Sequence, residues 1–256
     1  MRNLFSLEGR TALITGGSRG IGKMIAEGFL TYGAKVYISA RKGLELEEAA
    51  AELAKLGPCT ALNVNISGAD GARAMADVYI RHEAKLDILV NNAGAAWGAD
   101  FDEFPESGWD KVMDLNVKTP FFLTQALHGL LRAAASKDRL AKVINIASID
   151  GIAVNPQETY SYHASKAGLI HLTRRMAVRL IRDNIAVSAI APGAFASDMN
   201  RVARDHADEV SKMIPSRRIG SSEDMAAAAI YLASRAGDYV VGETIVVDGG
   251  VSLMRG

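Results

Sequence analysis

Two tyrosines stand just ahead of a lysine in the stretch ETYSYHASKAG, residues 158–168, as Tyr160, Tyr162 and Lys166. A phenol titrates near about pH 10 in water and is a poor acid–base group at neutral pH, but a nearby ammonium favours its ionised form. A ketone needs such a group when hydride is added to its carbon and a proton to its oxygen. Helical phase separates the two candidates. At about 100° per residue, Tyr162 and Lys166 fall four apart on one face, whereas Tyr160 and Lys166 fall six apart and point to different sides. Tyr162 is therefore the candidate acid, and Tyr160 is expected at the rim of its pocket. A Tyr-x3-Lys pair also arises by chance, so its meaning depends on what else the chain brings beside it.

A second chemical signal lies near the N-terminus. The run TALIT leads straight into TGGSRGIG and then into the helical pattern KMIAEGFLTYG. Glycine allows a tight turn and close approach of a ligand, and the N–H groups and positive end of the following helix attract a pyrophosphate. Gly16, Ser18, Arg19, Gly20 and Ile21 are thereby candidate cofactor contacts, with Gly22 completing a Gly-x3-Gly-x-Gly spacing. A purely structural turn is the plain alternative, and the position between first strand and first helix argues against it.

Both signals need elements to carry them. Short apolar runs at 11–15, 35–39, 61–64, 87–92, 142–148, 185–192 and 244–248 alternate with longer helical patterns. Their near-continuous apolar character suits strands covered on both faces, and the intervening segments are long enough for crossover helices. The expected fold is α/β: one doubly wound Rossmann domain over residues 1–256 with a seven-stranded parallel sheet. No repeat, low-complexity tract or linker divides the chain. Segments near 93–108, 149–160 and 194–220 break the rhythm after strand ends, where open α/β sheets bind ligands, and are the expected walls of a substrate pocket.

The motifs TGGSRGIG, NNAG (91–94), LNV (115–117), a serine after the fifth strand, Tyr162-x3-Lys166, PG (192–193) and VDGG (247–250) follow one another along the chain. In this order they resemble the short-chain dehydrogenase/reductase family over essentially the whole length, and within it the bacterial 3-oxoacyl thioester reductases. The resemblance implies a catalytic tetrad of Asn116, Ser148, Tyr162 and Lys166. Ser148 would hold the substrate carbonyl, and the backbone carbonyl of Asn116 would hold a water joining Lys166 to solvent. It also implies that Asn63 and Val64 flank adenine and that Asn92, Ala93 and Gly94 line the cofactor. Pro192, Gly193 and the backbone near Phe195 would meet the carboxamide, with Ser197 where the family usually has threonine. A strand-end serine and a helix-bending asparagine are the plain alternatives for Ser148 and Asn116.

Charge argues which nicotinamide nucleotide fits. An NAD site usually places an acid at the end of the second strand for the ribose 2′-hydroxyl. Here the strand ends in ISARKG, so Arg41 takes that place, and Arg19 lies in the glycine loop. Two guanidiniums suit a 2′-phosphate, which favours NADP(H) over NAD(H). Solvated surface arginines are the competing explanation.

Several features depart from the family's pattern or carry no chemistry. Ser148 and Tyr162 are 14 apart, slightly more than the common spacing, so the loop between them is expected to reshape the pocket mouth. Arg175, Arg179 and Arg182 recur at helical spacing, fitting either an acidic carrier or a solvated or subunit-facing surface. Among the histidines, His163 and His171 are eight apart without acidic or cysteine partners, so no metal is expected. Trp97, Phe101, Phe104, Met199, Val202, Met213 and Ile214 give the substrate-side segments apolar surface that suits an acyl chain, or ordinary core.

Composition sets outer bounds. The 29 acidic and 29 basic residues balance, giving no field that favours nucleic acid or an anionic membrane. The single Cys59 forms no internal disulfide and fits a reducing cytoplasm. The segment MRNLFSLEGR is too short and polar for a signal peptide, and no apolar run approaches a membrane span of about 20 residues. The expected activity is NADPH-dependent reduction of a 3-oxoacyl thioester, on acyl carrier protein or coenzyme A, in a cytoplasmic homotetramer, with supply of glycolipid precursors as one use. A short-chain enzyme for steroids, sugars or other small carbonyls, and a non-catalytic NADP(H) sensor, remain open.

Overall fold

The computed structural model describes residues 3–197 and 200–254, without the side chains of residues 201 and 202. Seven strands form one sheet: β1 (Thr11–Thr15), β2 (Lys35–Ala40), β3 (Cys59–Asn63), β4 (Ile88–Asn91), β5 (Ala141–Ile146), β6 (Ile185–Pro192) and β7 (Thr244–Val247). All pairs are parallel, in the order β3-β2-β1-β4-β5-β6-β7. Successive strands therefore run outward from β1 in one direction and from β4 in the other. The switch falls between β1 and β4, which opens a crevice at the carboxyl ends of the central strands.

The helices that cover the sheet are α1 (Gly20–Thr31), α2 (Gly43–Leu53), α3 (Gly68–Tyr79), α4 (Glu106–Met113), α5 (Thr119–Ala126), α6 (His128–Ala134), α7 (Tyr160–Leu180), α8 (Arg201–Asp205), α9 (Ala207–Met213) and α10 (Ser222–Ala233). Alternation along β1 splits the core in two. Ala12 and Ile14 point to one side, with Ile25, Phe29, Leu46, Met225 and Ile230 from α1, α2 and α10. Leu13 points to the other, with Met75, Tyr79, Leu123 and Met176 from α3, α5 and α7. Each fully buried Leu, Ile or Phe contributes roughly 1.5–3 kcal/mol, so the two layers make a rigid base for the loops above them.

Boundaries differ from the sequence expectation where tertiary contacts decide them. The third strand begins at Cys59, because Cys59 pairs with Val36 of β2. The fifth ends at Ile146, so Ser148 lies beyond the strand and caps a 3-10 turn at Ile149–Gly151. Segments read as pocket walls contain the start of α4 and all of α8 and α9. The helical pattern around Asn116 is broken by a π-helical turn at Asp114–Lys118. Arg182 lies past the end of α7 in a 3-10 turn, Ile181–Asp183, rather than on the helix carrying Arg175 and Arg179.

Candidate active site

The crevice between β1 and β4 is tied together by Thr15. Its hydroxyl donates to the Val90 carbonyl at 3.2 Å and accepts from the Asn92 and Ala93 N–H groups at 2.9 and 3.0 Å. Asn92 reaches back, its Nδ2 donating to the Thr15 and Gly16 carbonyls at 2.8 and 3.1 Å. This interlock fixes the path of Asn92–Ala93–Gly94 against the glycine loop. Gly16 and Gly20 have φ of +66° and +52°, and a Cβ at Gly22 would run into the Gly16 carbonyl. The loop is thus a tight coil that side chains would break open.

Arg19 is the N-cap of α1 and makes no side-chain cap, so the side chain leaves the first amides of a 12-residue helix uncovered. Ser18, Gly20 and Ile21 are half-buried around that end and Arg19 is exposed. Such a helix start suits a phosphate. Arg41 is exposed one residue past β2, whose last residue, Ala40, pairs with Asn63 at the end of β3. Asn63 lies against Gly43, where a Cβ would collide with its Nδ2, and half-buried Val64 follows.

The far wall comes from the chain after β6. The Gly193 N–H donates to the Val247 carbonyl at 2.9 Å, and a Cβ at Gly193 would lie 2.7 Å from that of Asp248. Phe195 is buried against Gly220 in an isolated bridge, which turns the backbone after Pro192 inward. Ser197 comes within reach of the glycine loop: a Cβ on Gly20 would sit 3.1 Å from the Ser197 Cβ. Met199 and the side chain of Val202 lie outside the described residues.

Between these walls stands α7. Lys166 is 4% exposed, and its Nζ donates to the Ile146 carbonyl at 2.8 Å, which pins the helix to the end of β5. The same Nζ lies 5.5 Å from the centroid of the Tyr162 ring. Two turns on, buried Thr173 accepts from Asn145 Nδ2 at 2.8 Å, and Asn145 Oδ1 accepts from Asn91 at 2.8 Å. A buried polar chain therefore locks α7 to β5 and β4, and each of its groups is costly to leave unpaired.

The turn after β5 brings Ser148 to the phenol. Ser148 lies near enough to the Tyr162 hydroxyl to favour its ionised form, and its Oγ accepts from the Asp150 N–H at 3.1 Å. The approach is close: a Cβ on Gly151 would lie 2.6 Å from the Lys166 carbonyl carbon. Burial pushes the Tyr162 phenol up to about 12, against the lowering effect of Ser148 and with a further rise from Asp150. Burial also pushes the Lys166 ammonium down to about 8, while Asp150 acts to raise it. Burial thus favours the protonated phenol, with the Lys166 Nζ facing its ring and the Ser148 hydroxyl near its oxygen.

Asn116 sits in the π turn, 1% exposed. Its Oδ1 accepts from the Ala95 N–H at 2.8 Å, and its Nδ2 donates to the Ala95 carbonyl at 2.9 Å and to Ser165 Oγ at 3.0 Å. One side chain therefore joins the segment that follows NNAG to the residue just before Lys166. Single-turn π bulges occur often at functional sites, because they re-aim backbone and side-chain groups together.

Tyr160 has a different setting. It is 36% exposed, donates to Glu158 at 3.0 Å, and packs edge-on against Phe101 and Phe104 at 5.5 and 5.7 Å. Phe104 in turn meets Trp109, and Trp97 stacks on Gly108 with Lys111 above its ring. The aromatic rim is continuous with Tyr160. Ile214 is buried while Met213 is exposed. Arg179 pairs with Asp183, which also meets His128, and Arg175 and Arg179 flank an outer groove that includes Phe121 and Met176. His163 is held by Thr159. Among the described residues no cluster of His, Cys, Asp and Glu could hold a metal, and no helix is long and apolar enough to cross a membrane. Cys59 is a packing thiol, its burial pushing it up to about 11.

Gly151, Asp150, Ser165, Thr15 and Asn145 escaped the sequence reading. Only Thr15 carried a usable signal, as the polar end of an apolar strand that runs directly into the glycine loop.

Comparison with known proteins places this geometry. A family model described as Enoyl-(Acyl carrier protein) reductase matches residues 16–252. The chain is 47% identical, over 99% of its length and 100% of the relative, to a protein of Pseudomonas aeruginosa named Rhamnolipids biosynthesis 3-oxoacyl-[acyl-carrier-protein] reductase. It is 36% identical to the 2-dehydro-3-deoxy-D-gluconate 5-dehydrogenase of Dickeya dadantii, covering 97% of each. Among solved structures, the Pseudomonas aeruginosa RhlG/NADP active-site complex superposes with a TM-score of 0.94 at 46% identity, covering 98% of this chain and 100% of that one. A gluconate 5-dehydrogenase from Burkholderia cenocepacia, in complex with NADP and tartrate, superposes with a TM-score of 0.87 at 32% identity and 98% coverage of both chains.

Proposed function

The chain belongs to the short-chain dehydrogenase/reductase family, and from that premise we propose that it reduces a 3-oxoacyl thioester to the 3-hydroxyacyl thioester with NADPH. The observation that carries the reaction is the Tyr162–Lys166–Ser148 cluster, which Asn116 ties through Ser165 and Ala95 to the segment packed on the glycine loop.

The residues present fit NADP(H). Gly16, Ser18, Arg19, Gly20 and Ile21 would hold the pyrophosphate, with Arg19 and Arg41 on the 2′-phosphate and Asn63 and Val64 beside adenine. Asn92, Ala93 and Gly94 would line the nucleotide, and Pro192, Gly193, Phe195 and Ser197 would meet the carboxamide. When bound, NADPH supplies the hydride that reduces the carbonyl carbon.

Every other part is this chain's own. Ser148 orients the substrate carbonyl and Tyr162 gives its hydroxyl proton to the oxygen as the C–O double bond becomes a single bond. The phenolate left behind is stabilised by the Lys166 ammonium and regains its proton through Lys166. The π turn at Asn116 would supply a carbonyl for a water on that route. Burial excludes bulk water, so these charges act through a low effective dielectric.

A 3-oxoacyl chain is favoured by the aromatic rim of Phe101, Phe104 and Tyr160, and by the name of the 47%-identical relative. A use in supplying 3-hydroxyacyl chains for glycolipid synthesis follows from that likeness. The gluconate-type relatives favour a second reading, a sugar-acid oxidoreductase, for which the carboxylates of Asp100, Asp102 and Glu158 at the rim are a poor match. We further read residues 1–256 as one dinucleotide-binding and catalytic domain with its substrate walls in 93–108, 149–160 and 194–220, acting as a cytoplasmic homotetramer. NADPH oxidation with 3-oxoacyl chains on acyl carrier protein and on coenzyme A, beside sugar acids, steroids and simple ketones, tests the assignment. Faster turnover of the non-acyl carbonyls overturns it.

A further inference from the structure

The turn that delivers Ser148 also carries a carboxylate with no part in the proton transfer just described. Asp150 is fixed from two sides. Its N–H donates to Ser148 Oγ at 3.1 Å, and its Oδ1 accepts from Asn155 Nδ2 at 2.7 Å, with Asn155 Oδ1 in turn accepting from the Gln157 N–H at 2.8 Å. The next residue, Gly151, lies on the backbone of Lys166 so closely that no side chain fits. The carboxylate is thereby held on the short turn between Ser148, which neighbours the phenol, and Gly151, which packs on the Lys166 backbone.

We propose that Asp150 is a positioning residue that holds Tyr162 in its protonated form and Lys166 in its charged form, and so extends ketone reduction to more alkaline pH. This rests on the reductase reading above.

Charged groups stand on each of the neighbouring elements. The serine turn brings Asp150, α7 brings Lys166 and His163, and the loop before α7 brings Glu158. The segment after β4 brings Asp100 and Asp102, the π turn brings Asp114 paired with Lys118, and α4 brings Lys111 over Trp97. Glu158, Asp100 and Asp102 act on Tyr160. Asp150 is the charge that raises both Tyr162 and Lys166, opposing burial at the lysine and adding to it at the phenol.

The consequence has a direction. A carboxylate disfavours a phenolate and favours an ammonium. Reduction needs the phenol protonated, whereas oxidation of the alcohol needs it ionised, so the same charge prolongs the first and delays the second as pH rises. The overall equilibrium is unaffected; only the pH range in which each direction runs is moved.

The test is Asp150→Asn, which keeps an acceptor for Asn155 and the backbone bond to Ser148 but removes the charge. For reduction of a 3-oxoacyl thioester, the alkaline limb of kcat/KM should move down by about half to one pH unit. For oxidation of the 3-hydroxyacyl thioester, the limb on the acid side should move the same way. Asp150→Glu, which keeps the charge, should hold both limbs near the wild-type positions. The phenol is read directly from Tyr162 Cζ in [13Cζ]tyrosine-labelled protein bound to NADP+, assigned by its loss in Tyr162→Phe. Its midpoint should fall in Asp150→Asn. Unmoved limbs and an unmoved Tyr162 midpoint, even with a lower kcat, overturn the proposal and leave Asp150 a part of the turn only. If the wild type turns over no thioester, the reductase reading fails, and the Tyr162 midpoint still decides the role of Asp150.

Discussion

The Lys166 ammonium lies 5.5 Å from the centroid of the Tyr162 ring while donating at 2.8 Å to the Ile146 carbonyl, so one cation both faces the phenol and fastens α7 to the end of β5. Binding to the backbone fixes the ammonium's position, and burial makes its charge count. Tyr160, two residues earlier, instead turns out toward Phe101 and Phe104. The mechanism depends on this division of the two tyrosines.

Lys166 should leave a signature in stability as well as activity. Its folded value is pushed down to about 8 from an ordinary 10.5, so between those limits the unfolded chain binds the proton that the folded protein has released. Stability should therefore rise with pH across that window through this group, and the rise should be absent below it. Urea unfolding of wild type and Lys166→Met across pH 7–10.5 isolates the term as the difference between the two. A difference that is flat, or that falls with pH, contradicts the burial of a strained ammonium.

Gly151 should tolerate no side chain. In Gly151→Ala the new Cβ would meet the Lys166 backbone at 2.6 Å, and neither partner is a flexible side-chain end. Overpacking of this kind costs roughly 1–3 kcal/mol and should displace Ser148 from Tyr162. Thermal melting and NADPH turnover should both fall, with kcat reduced about 10-fold or more. Unchanged turnover would mean the serine turn moves freely.

Asn116 joins Ala95 and Ser165 through three hydrogen bonds, all buried or nearly so. Asn116→Leu leaves the Ala95 N–H and carbonyl unpaired, at a cost of about 1–3 kcal/mol for each buried group. Lower stability with a loss of kcat larger than any change in NADPH affinity is expected. A variant as stable as wild type would show that the clamp is dispensable.

Arg41 tests the nucleotide preference. Replacing it by Ala should weaken NADPH binding by about 10- to 100-fold, the worth of a charge-assisted bond to phosphate, and leave NADH binding nearly unchanged. Isothermal titration with both nucleotides reads this directly. Equal loss for NADH and NADPH would place Arg41 away from the 2′-phosphate.

Much of this architecture was legible in the sequence, for physical reasons that also explain the gaps. Buried parallel strands announce themselves as apolar runs, so all seven were found, with ends that strand pairing then adjusted, as at Cys59 and Ile146. The phase of Tyr162 against Lys166 was readable because both lie on one uninterrupted helix. The π turn at Asp114–Lys118 was not, since one extra residue in a turn leaves the apolar pattern nearly intact. Nor were the approach of Gly151 to Lys166 and the clamp from Asn116 to Ala95, which join segments far apart in the chain. The role of Asp150 was hidden for the same reason: its charge matters only once the turn has folded onto α7.

The most direct test sets the two tyrosines side by side. NADPH oxidation with a 3-oxoacyl thioester is followed for Tyr160→Phe and Tyr162→Phe, with NADPH affinity measured for both. Tyr160→Phe should retain turnover within a few-fold of wild type, and Tyr162→Phe should lose about 1,000-fold or more, as removal of a positioned proton donor costs, while still binding NADPH. Turnover that survives in Tyr162→Phe, or that is lost equally in both, would contradict Tyr162 as the proton donor.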